Sequence, residues 1–319
     1  MRLVPAEGPL LEQILDFTYP IWNEGLSRGA YAQWNAAQLK TPWGRQHLSR
    51  FALIDDAGQL LATAKRYRHD ARLDGREGFV AGIGAVFTPP EVRGRGHASA
   101  IVARLVEQEQ QAGAMAAALF SEIGSAFYER LGFVPVPLDE VTVSAALKPG
   151  SPAMLVRAGD ERDLANISAM DRIRSEGARY ALRRDVSLIQ YAIAKKRLQA
   201  GLGPVGLRQV EFFVAEEGAS AVAYILLTAS RNGWTLEEAG DRDPAGARLG
   251  AMLQVLAARE PAQQLPPIRT WWPRAFPLPP QLRLSDRTDM HDLLMIRPFV
   301  ELAQPLAADE VFYWRSDYF

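Results

Sequence analysis

The chain has 319 residues, of which 48 % are hydrophobic and 23 % charged, with 36 basic against 37 acidic residues. These are ordinary globular proportions in a chain long enough for two domains of about 150 residues, so wholesale disorder and fibrous repeats are excluded. A net charge of −1 gives no electrostatic case for a nucleic-acid or anionic-membrane partner, and the lack of cysteine excludes disulfides, thiol nucleophiles and thiolate metal sites.

The best candidate for a domain boundary is a short segment with two prolines and a glycine, residues 147–152. It predicts one domain over residues 1–148 and another over residues 153–319. Two segments on either side of it are alike: Phe51–Gly58 is echoed by Phe212–Ala219, and each reads as a strand followed by an acidic turn. The two halves also begin alike, because Leu3-Val4-Pro5-Ala6 and Leu155-Val156-Arg157-Ala158 each lead into an apolar-periodic stretch. Two such echoes in the same order predict a duplicated fold.

In the first half, the hydrophobic pattern predicts a strand, two helices and then strands with further helices between them. The predicted strands span 47–54, 59–68, 79–87, 114–120, 133–136 and 141–147, and the later helices 96–112 and 124–131. The polar segment 69–77 is expected to form an exposed hairpin loop. This order of elements predicts the α/β class, with a mixed (α+β) sheet.

The apolar segment 79–87 contains two glycines and runs into a glycine-rich turn. Gly82 and Gly84 favour a bulge or the close approach of a ligand. The turn, Arg93-Gly94-Arg95-Gly96-His97-Ala98-Ser99, leads directly into a helix. Unpaired helix N-terminal amides favour a pyrophosphate, and the two arginines add positive charge. A plain strand-to-helix connection is the alternative interpretation.

A second motif, Phe127-Tyr128-Glu129-Arg130-Leu131-Gly132-Phe133, follows further along the chain. Together the two motifs resemble those of the GCN5-related N-acetyltransferases (GNAT). The resemblance implies that Arg93, Gly96 and Ala98 belong to a pyrophosphate site for acetyl-CoA, and that Tyr128 is the general acid. The amino-acid sequences of both motifs are also similar to those of a group of fungal lysine N-acetyltransferases.

The chemistry of acetyl transfer fits these residues. An amide freed by a bulge, most plausibly that of Val86, would hydrogen-bond the thioester oxygen, and the backbone of Val86 and Phe87 would hold the thioester and pantetheine. Tyr128 would protonate the departing thiolate, and packing against the sheet is its alternative role. Ser121 stands where the family often has an asparagine that contacts the pantetheine arm. Without cysteine, we expect direct transfer in a ternary complex.

The general base is not evident from the sequence, because positions 80–86 lack the glutamate that many family members place there. The candidates are Glu24, Asp70, Glu77, Glu122, a water relay and the terminal carboxylate of Phe319. The last is included because one tandem branch of the family, the enhanced-intracellular-survival acetyltransferases, has its terminal carboxylate at the active site. Trp22 and Trp34 are candidates for the acceptor pocket, with core packing as the alternative. The scattered histidines show no ligand spacing, so no metal is expected.

The second half is predicted to be a degenerate GNAT-like domain. Asp241 and Asp243 precede its amphipathic helix, where their carboxylates would repel a pyrophosphate. The arginine-glycine motif of the first half is not repeated there, and Tyr128 has no counterpart. This half is therefore expected to have lost its cofactor.

The sequence thus predicts an acetyl-CoA-dependent N-acetyltransferase that acts on a small primary amine, such as a lysine-like amino acid. The alternatives are an aminoglycoside or protein N-acetyltransferase and, in another class, an acyl-CoA-binding sensor or scaffold without catalysis. The residues after Met1 turn polar too early for a signal peptide, and no apolar run approaches membrane-spanning length. A cytoplasmic monomer or homodimer is expected, without nucleic-acid or membrane partners.

Overall fold

The computed structural model describes residues 1–145, 154–231, 233–259, 267–285 and 287–319. They form two compact units, and each takes in chain from both halves of the sequence. The first unit comprises Met1–Pro137, His291–Leu306 and Phe319, and the second comprises Leu138–Met290 and Ala307–Tyr318. The predicted linker 147–152 lies outside the described residues.

The elements of the first 145 residues follow the predicted order, with an added short helix before the second strand. They are β1 (Arg2–Pro5), α1 (Gly8–Trp22), α2 (Arg28–Lys40), α3 (Pro42–His47), β2 (Leu48–Ile54), β3 (Leu60–Leu73), β4 (Arg76–Phe87), α4 (His97–Gln111), β5 (Ala116–Ser121), α5 (Ala126–Glu129), β6 (Val134–Pro135) and β7 (Asp139–Ala145).

The later part of the chain alternates strands and helices in a similar way. Its elements are β8 (Val156–Ala158), α6 (Leu164–Ser175), β9 (Tyr180–Leu182), α7 (Val186–Leu202), β10 (Arg208–Glu217), β11 (Ser220–Ser230), β12 (Gly233–Asp241), α8 (Ala247–Ala257), β13 (Ile268–Thr270), β14 (Leu282–Leu284), β15 (Thr288–Asp289), β16 (Leu293–Pro298) and β17 (Val311–Phe312). None of the described helices is long and apolar enough to cross a bilayer.

The sheet of the first unit has the strand order β1-β2-β3-β4-β5-β16-β6. Strands β1 to β4 pair antiparallel, β4 and β5 pair parallel, and β16 pairs antiparallel with β5 and β6. The prediction of an α/β fold with a mixed sheet is confirmed. The strand β16 comes from residues near the end of the chain, so the sheet is completed only by that late segment.

The expectation of a loop over residues 69–77 is wrong. Strands β3 and β4 continue through this segment and pair as far as Leu73 and Arg76. A two-residue turn joins them, in which Asp74 and Gly75 have φ values of 52° and 77°. Positive φ at both central positions is typical of a type I′ hairpin, whose twist matches that of the strands, so polar composition did not prevent pairing.

The two faces of the first sheet carry different helices. On one face, helix α4 packs its apolar side against the strands, in a cluster whose buried members include Leu53, Ile83, Ile101, Val102, Leu105 and Leu119. On the other face, Ile14 of α1 packs with Ala52 and Leu60. In the later part of β3, strand side chains alternate between faces, so Ala64 points to the helix α4 side, and Lys65, Tyr67 and His69 point to the α1–α3 side.

The sheet of the second unit has the order β8-β10-β11-β12-β13-β7-β14, and β15 also pairs with β7. It too contains a parallel pair, β12–β13, followed by antiparallel pairing of β13 with β7 and of β7 with β14. A register shift interrupts β11–β12 at Leu226/Leu227, as one interrupts β3–β4 at Thr63/Lys65. The two sheets therefore have the same strand order and pairing directions.

Candidate active site

Strand β4 carries a bulge and separates from its parallel neighbour near its end. Thr63 pairs with Phe87 and Lys65 with Gly84, so two residues of β4, Ala85 and Val86, lie opposite a single residue of β3. Ala85 has a φ of 48°, a left-handed conformation that is unusual for a residue with a side chain. Among the described residues, β4 and β5 pair from Val80 to Gly82 and no further, whereas β5 continues to Ser121. The bulge thus coincides with a gap between two parallel strands, a shape that admits a ligand.

The turn predicted to bind pyrophosphate is an exposed segment in front of α4. Gly94 and Gly96 have φ values of 74° and 79°, and Gly96 is the N-cap of the helix. A Cβ at either glycine would meet no heavy atom of the described chain within 4 Å. Within the same described chain, no side chain caps α4, and its first turn, which starts at His97, has no acidic residue. The amides of this turn are therefore available to an anion.

The rim of this turn carries positive charge. Arg93 and Arg95 are both exposed. The Arg93 Nε donates a hydrogen bond to the Thr88 carbonyl oxygen at 3.0 Å, and its guanidinium lies 5.8 Å from the centre of the Phe87 ring. Phe87 in turn packs against Trp22 of α1, with ring centroids 6.4 Å apart. Arg93 is thus held near the mouth of the turn, and the residues present fit the diphosphate of coenzyme A.

The corresponding helix of the second unit begins differently. Helix α8 also has a left-handed glycine, Gly246, as its N-cap, with a φ of 69°. The buried Asp241 carboxylate accepts hydrogen bonds from the Leu249 amide at 2.9 Å and the Asp243 amide at 2.8 Å, and Asp243 accepts one from Ala245 at 3.0 Å. The Asp241 carboxylate therefore occupies the first turn of α8, where a diphosphate would bind, and the Asp243 carboxylate lies in the turn just before the helix.

Tyr128 lies on the short helix α5 and belongs to the same hydrophobic cluster that Val86 packs against. Its ring makes edge contacts with Phe127 and Phe133, at centroid distances of 4.8 and 6.0 Å. Burial raises the pKa of Tyr128 to about 12, and the nearby Glu122 carboxylate adds to the shift. The phenol is therefore a protonated hydrogen-bond donor across the neutral pH range.

Ser121, at the end of β5, is buried and already bonded within its own turn. Its hydroxyl donates to the Gly124 carbonyl oxygen at 2.6 Å and accepts from the Ile123 amide at 3.4 Å. The hydroxyl proton is thus engaged by the protein. This contrasts with the asparagine that the resemblance would lead one to expect, whose amide offers two donors.

An aromatic cluster covers the α1–α3 face of the first sheet, and sequence reasoning missed most of it. Tyr67 and His69 of β3 stack with Trp43 of α3, at centroid distances of 6.5 and 5.1 Å. The Phe319 ring joins them, 5.0 Å from Tyr67 and 5.3 Å from both His69 and Phe120. The alternation of Lys65, Tyr67 and His69 along the strand is the available signal in the sequence, but the polar composition after position 68 favours a loop.

Phe319 lies directly on β4, just before the bulge. A Cβ at Gly82 would stand 2.8 Å from carbons of the Phe319 ring, and one at Gly84 would stand 3.2 Å from the main-chain oxygen of Phe319. The two strand glycines therefore leave the space that Phe319 fills. The sequence led us to expect a bulge or a close ligand at these glycines, and contact with Phe319 is a third reason for them.

The other predicted site residues are more scattered. Trp34 lies 5.9 Å from the Lys65 Nζ, on the face of the aromatic cluster. Glu24 is exposed in a left-handed conformation with a φ of 54°. Among the further base candidates, Glu77 forms an ion pair with Arg72 at 3.0 Å, and Asp70 is exposed on the strand β3. Among the described residues, no group of three or more histidines or acids could hold a metal ion.

Residues 22–136 match the family model described as an acetyltransferase (GNAT) domain. Among curated proteins, no sequence matches this chain significantly. The fold is similar to that of a probable N-acyltransferase from Enterococcus faecalis V583, at 13 % identity and a TM-score of 0.67, over 93 % of this chain and 72 % of that one.

Two further solved structures are similar at low identity. A GCN5-related N-acetyltransferase from Kribbella flavida has 16 % identity and a TM-score of 0.62, over 93 % of this chain and 70 % of that one. Saccharomyces cerevisiae N-myristoyltransferase with bound myristoyl-CoA has 10 % identity and a TM-score of 0.57, over 99 % and 83 %. The matched segment 22–136 contains the β4 bulge, the turn before α4 and Tyr128, and the match supports an acyltransferase.

Proposed function

We propose that this protein is an acetyl-CoA-dependent N-acetyltransferase whose acceptor is a small primary amine with the character of an amino acid. The observation that carries the proposal is the β4 bulge at Ala85–Val86, next to an uncapped helix N-terminus and in one cluster with Tyr128. Acetyl-CoA would supply the activated acyl group as its thioester. The amides at the start of α4, with Arg93 and Arg95, would bind the diphosphate.

In the proposed reaction, the Val86 amide hydrogen-bonds the thioester oxygen and stabilises the negative charge that forms on it. The acceptor nitrogen bonds to the carbonyl carbon and gives up a proton to a water relay. The carbon–sulfur bond then breaks, and Tyr128 donates its proton to the departing thiolate. Burial keeps that phenol protonated, with its pKa raised to about 12, so the acid is available at neutral pH.

The test follows release of the coenzyme A thiol from acetyl-CoA in the presence of a panel of amines. We expect Tyr128→Phe to lower kcat by roughly 10²- to 10⁴-fold, because it removes a general acid. The affinity for coenzyme A should stay close to that of the wild type. Tyr180→Phe, the same change at a buried tyrosine of the second unit, is the matched control and should leave kcat unchanged.

One observation favours a second candidate function, a sensor that binds acyl-CoA without turnover. The segment of β4 from Val80 to Val86 carries no carboxylate that could act as a base. Saturable coenzyme A binding without amine-dependent thiol release, unaffected by Tyr128→Phe, would favour the sensor over the enzyme.

We further propose that the second unit is a degenerate copy of the same fold that no longer binds coenzyme A. Its support is the shared strand order together with the Asp241 and Asp243 carboxylates at the start of α8. Titration should therefore give one coenzyme A per chain. Two equivalent sites would contradict this part of the proposal.

A further inference from the structure

The Phe319 ring closes one side of the gap between β4 and β5. The two strands pair as far as Gly82 and Ala118. At that last pair, two carbons of the Phe319 ring lie 2.8 Å from the point where a Cβ of Gly82 would stand, and the ring centroid is 5.3 Å from that of Phe120 on β5. Because glycine has no side chain, the ring fills a space that β4 itself leaves empty. Phe319 therefore forms a wall at the inner end of the gap.

The opposite side of the gap is filled by the core under α4. Ile83 and Leu119, the residues that follow the last pair on each strand, belong to the hydrophobic cluster on the α4 side and are each 1 % exposed. A protein core is close-packed, so a ligand in the gap could not extend to that side without displacing buried side chains. The inner end of the gap is thus bounded by the core on the α4 side and by Phe319 on the α1–α3 side.

The proposed position of the cofactor directs its acyl group towards this wall. The diphosphate would bind at the turn before α4, which follows the end of β4, and the thioester at the Val86 amide. In coenzyme A the diphosphate and the sulfur stand at opposite ends of the pantetheine arm, so the acyl chain would continue back along β4, away from the turn. Gly84 is two residues from Val86, at most about 7 Å along a strand. The main-chain oxygen of Phe319 lies 3.2 Å from the Cβ position of Gly84, so a long acyl chain would collide with Phe319.

Neighbouring rings hold Phe319 in this position. Tyr67 and His69 of β3 contact its ring at centroid distances of 5.0 and 5.3 Å, in addition to the contact with Phe120. A ring packed against three others loses these contacts when it moves. A longer acyl chain would therefore have to break them before it gained any contact of its own.

We propose that Phe319 limits the length of the acyl group, so that the site accepts acetyl-CoA and propionyl-CoA and rejects hexanoyl-CoA and longer acyl-CoA. The inference rests on the proposed acetyltransferase function and makes Phe319 a residue that determines specificity, not a catalytic residue. Selection of this kind works through volume, because one methylene group too many in an apolar pocket changes kcat/KM by roughly 10- to 200-fold. A smaller side chain at position 319 would supply the missing volume, and the extra methylene groups would then be buried favourably.

The experiment measures kcat/KM for acetyl-, butyryl- and hexanoyl-CoA with the best amine of the panel, in wild type and Phe319→Ala. We expect the wild type to prefer acetyl-CoA to hexanoyl-CoA, and the variant to reduce that preference by roughly 10- to 200-fold. Phe319→Leu, which keeps a smaller apolar side chain, should give an intermediate preference and serves if Phe319→Ala does not fold. Phe51→Leu is the matched control, because Phe51 is also half-buried but packs on the α4 side of β2. It should leave the preference unchanged.

Calorimetric titration without an amine provides the readout that does not depend on turnover. In wild type, hexanoyl-CoA should bind at least roughly 10-fold more weakly than coenzyme A, whereas Phe319→Ala should bind the two equally well or prefer hexanoyl-CoA. Equal affinity for all chain lengths in wild type, or a preference that both Phe319 variants retain, would overturn the inference. Coenzyme A binding without thiol release would instead refute the proposed transfer, and the series of dissociation constants would still test Phe319. If coenzyme A does not bind at all, the proposed function and this inference both fail.

Discussion

Gly82 has no side chain, and the Phe319 ring packs into the space that a side chain would take. Its missing Cβ is replaced by the Phe319 ring, whose carbons lie 2.8 Å from where that Cβ would stand, and the Cβ of Tyr67 is 3.2 Å from the same point. Because φ at Gly82 is not in the left-handed region, an alanine there would be excluded by contact alone and not by backbone strain.

We therefore expect Gly82→Ala to displace Phe319 and lower the free energy of unfolding by roughly 1–3 kcal/mol, as overpacking usually does. Denaturant unfolding measures the change. Gly29→Ala is the matched control, because Gly29 lies in α2 with nothing within 4 Å of its Cβ position. That control should raise stability by about 0.5–1 kcal/mol. Equal effects of the two substitutions would contradict the packing role of Phe319.

The second unit encloses a cluster of buried charges around Arg184. Asp171 and Asp317 contact this guanidinium at 3.2 and 3.0 Å, and Glu238 also pairs with it. Burial raises the pKa of Asp171 to about 7 and that of Asp317 to about 6. Lys195, which donates to the Tyr318 carbonyl oxygen, has its pKa lowered to about 7 by burial and by Lys196.

Because the pKa shifts of the aspartates and of Lys195 are opposite, we expect the cluster's contribution to the free energy of unfolding to be smallest near pH 7. Asp171 and Asp317 contribute stability that is present below their unfolded pKa near 3.8 and is lost as the pH rises through 6 to 7. Lys195 contributes stability that is present above its unfolded pKa of 10.5 and is lost as the pH falls through 7. We expect Asp171→Asn to flatten the fall in unfolding free energy between pH 4 and 7, and Lys195→Met to flatten the rise above pH 7. Unchanged slopes in both variants, measured by denaturant unfolding across pH, would contradict these assignments.

At the level of elements, the two units differ in whether a helix N-terminus is open to an anion. Helix α4 starts with an open, exposed turn, whereas the start of α8 is occupied by Asp241. The residues that decide this difference, two arginines against two aspartates, are visible in the sequence, and the turn, the helix and the segment with Tyr128 were all predicted within a few residues. Local motifs of this kind are predictable because short-range hydrogen bonds and charges determine them.

Asp241→Ala tests the capping role of this carboxylate. Two backbone amides would lose their acceptor, so we expect the free energy of unfolding to fall by about 1–2 kcal/mol. Asp56→Ala, at a carboxylate that is 93 % exposed, should change it by less than about 0.5 kcal/mol. Thermal unfolding of the two variants side by side provides the comparison. If Asp241→Ala were as neutral as the surface control, the carboxylate would not be a cap.

The hairpin and the aromatic cluster were less predictable for different reasons. The Asp74-Gly75 pair is typical of a two-residue hairpin turn, but the polar residues around it favour a loop. The contacts of Phe319 with Tyr67 and His69 join residues about 250 positions apart in the chain, and a hydrophobic pattern does not specify such partners.

For the whole molecule, the most consequential feature is the exchange of sheet strands between the two halves of the chain. Strand β7, which follows the first unit in sequence, pairs with β13 and β14 in the second sheet. Strand β16, which follows most of the second unit, pairs with β5 and β6 in the first sheet. The apolar alternation of a strand indicates that it is buried but not which sheet it joins, so this exchange could not be predicted from the sequence.

We expect a chain truncated after Pro137 to be insoluble or only partly folded. It lacks β16, so the edge of β5 would be exposed and Met295, a fully buried member of the α4-face cluster, would be missing. Solubility and far-UV circular dichroism of the truncated chain measure this. Co-expression of the missing segment 287–306 as a separate peptide should restore part of the fold. A soluble, coenzyme A-binding 1–137 fragment would show that β16 is dispensable.

The position of β16 also constrains how the protein is made. At a synthesis rate of about 5–20 residues per second, the ribosome needs roughly 10–30 s to pass from the end of β6 to the end of β16. During that interval the nascent first sheet has an unpaired β5 edge, which is the kind of surface that chaperones shield. Slow codons or a stalled ribosome between these strands would therefore harm this protein more than one whose domains each finish folding in turn.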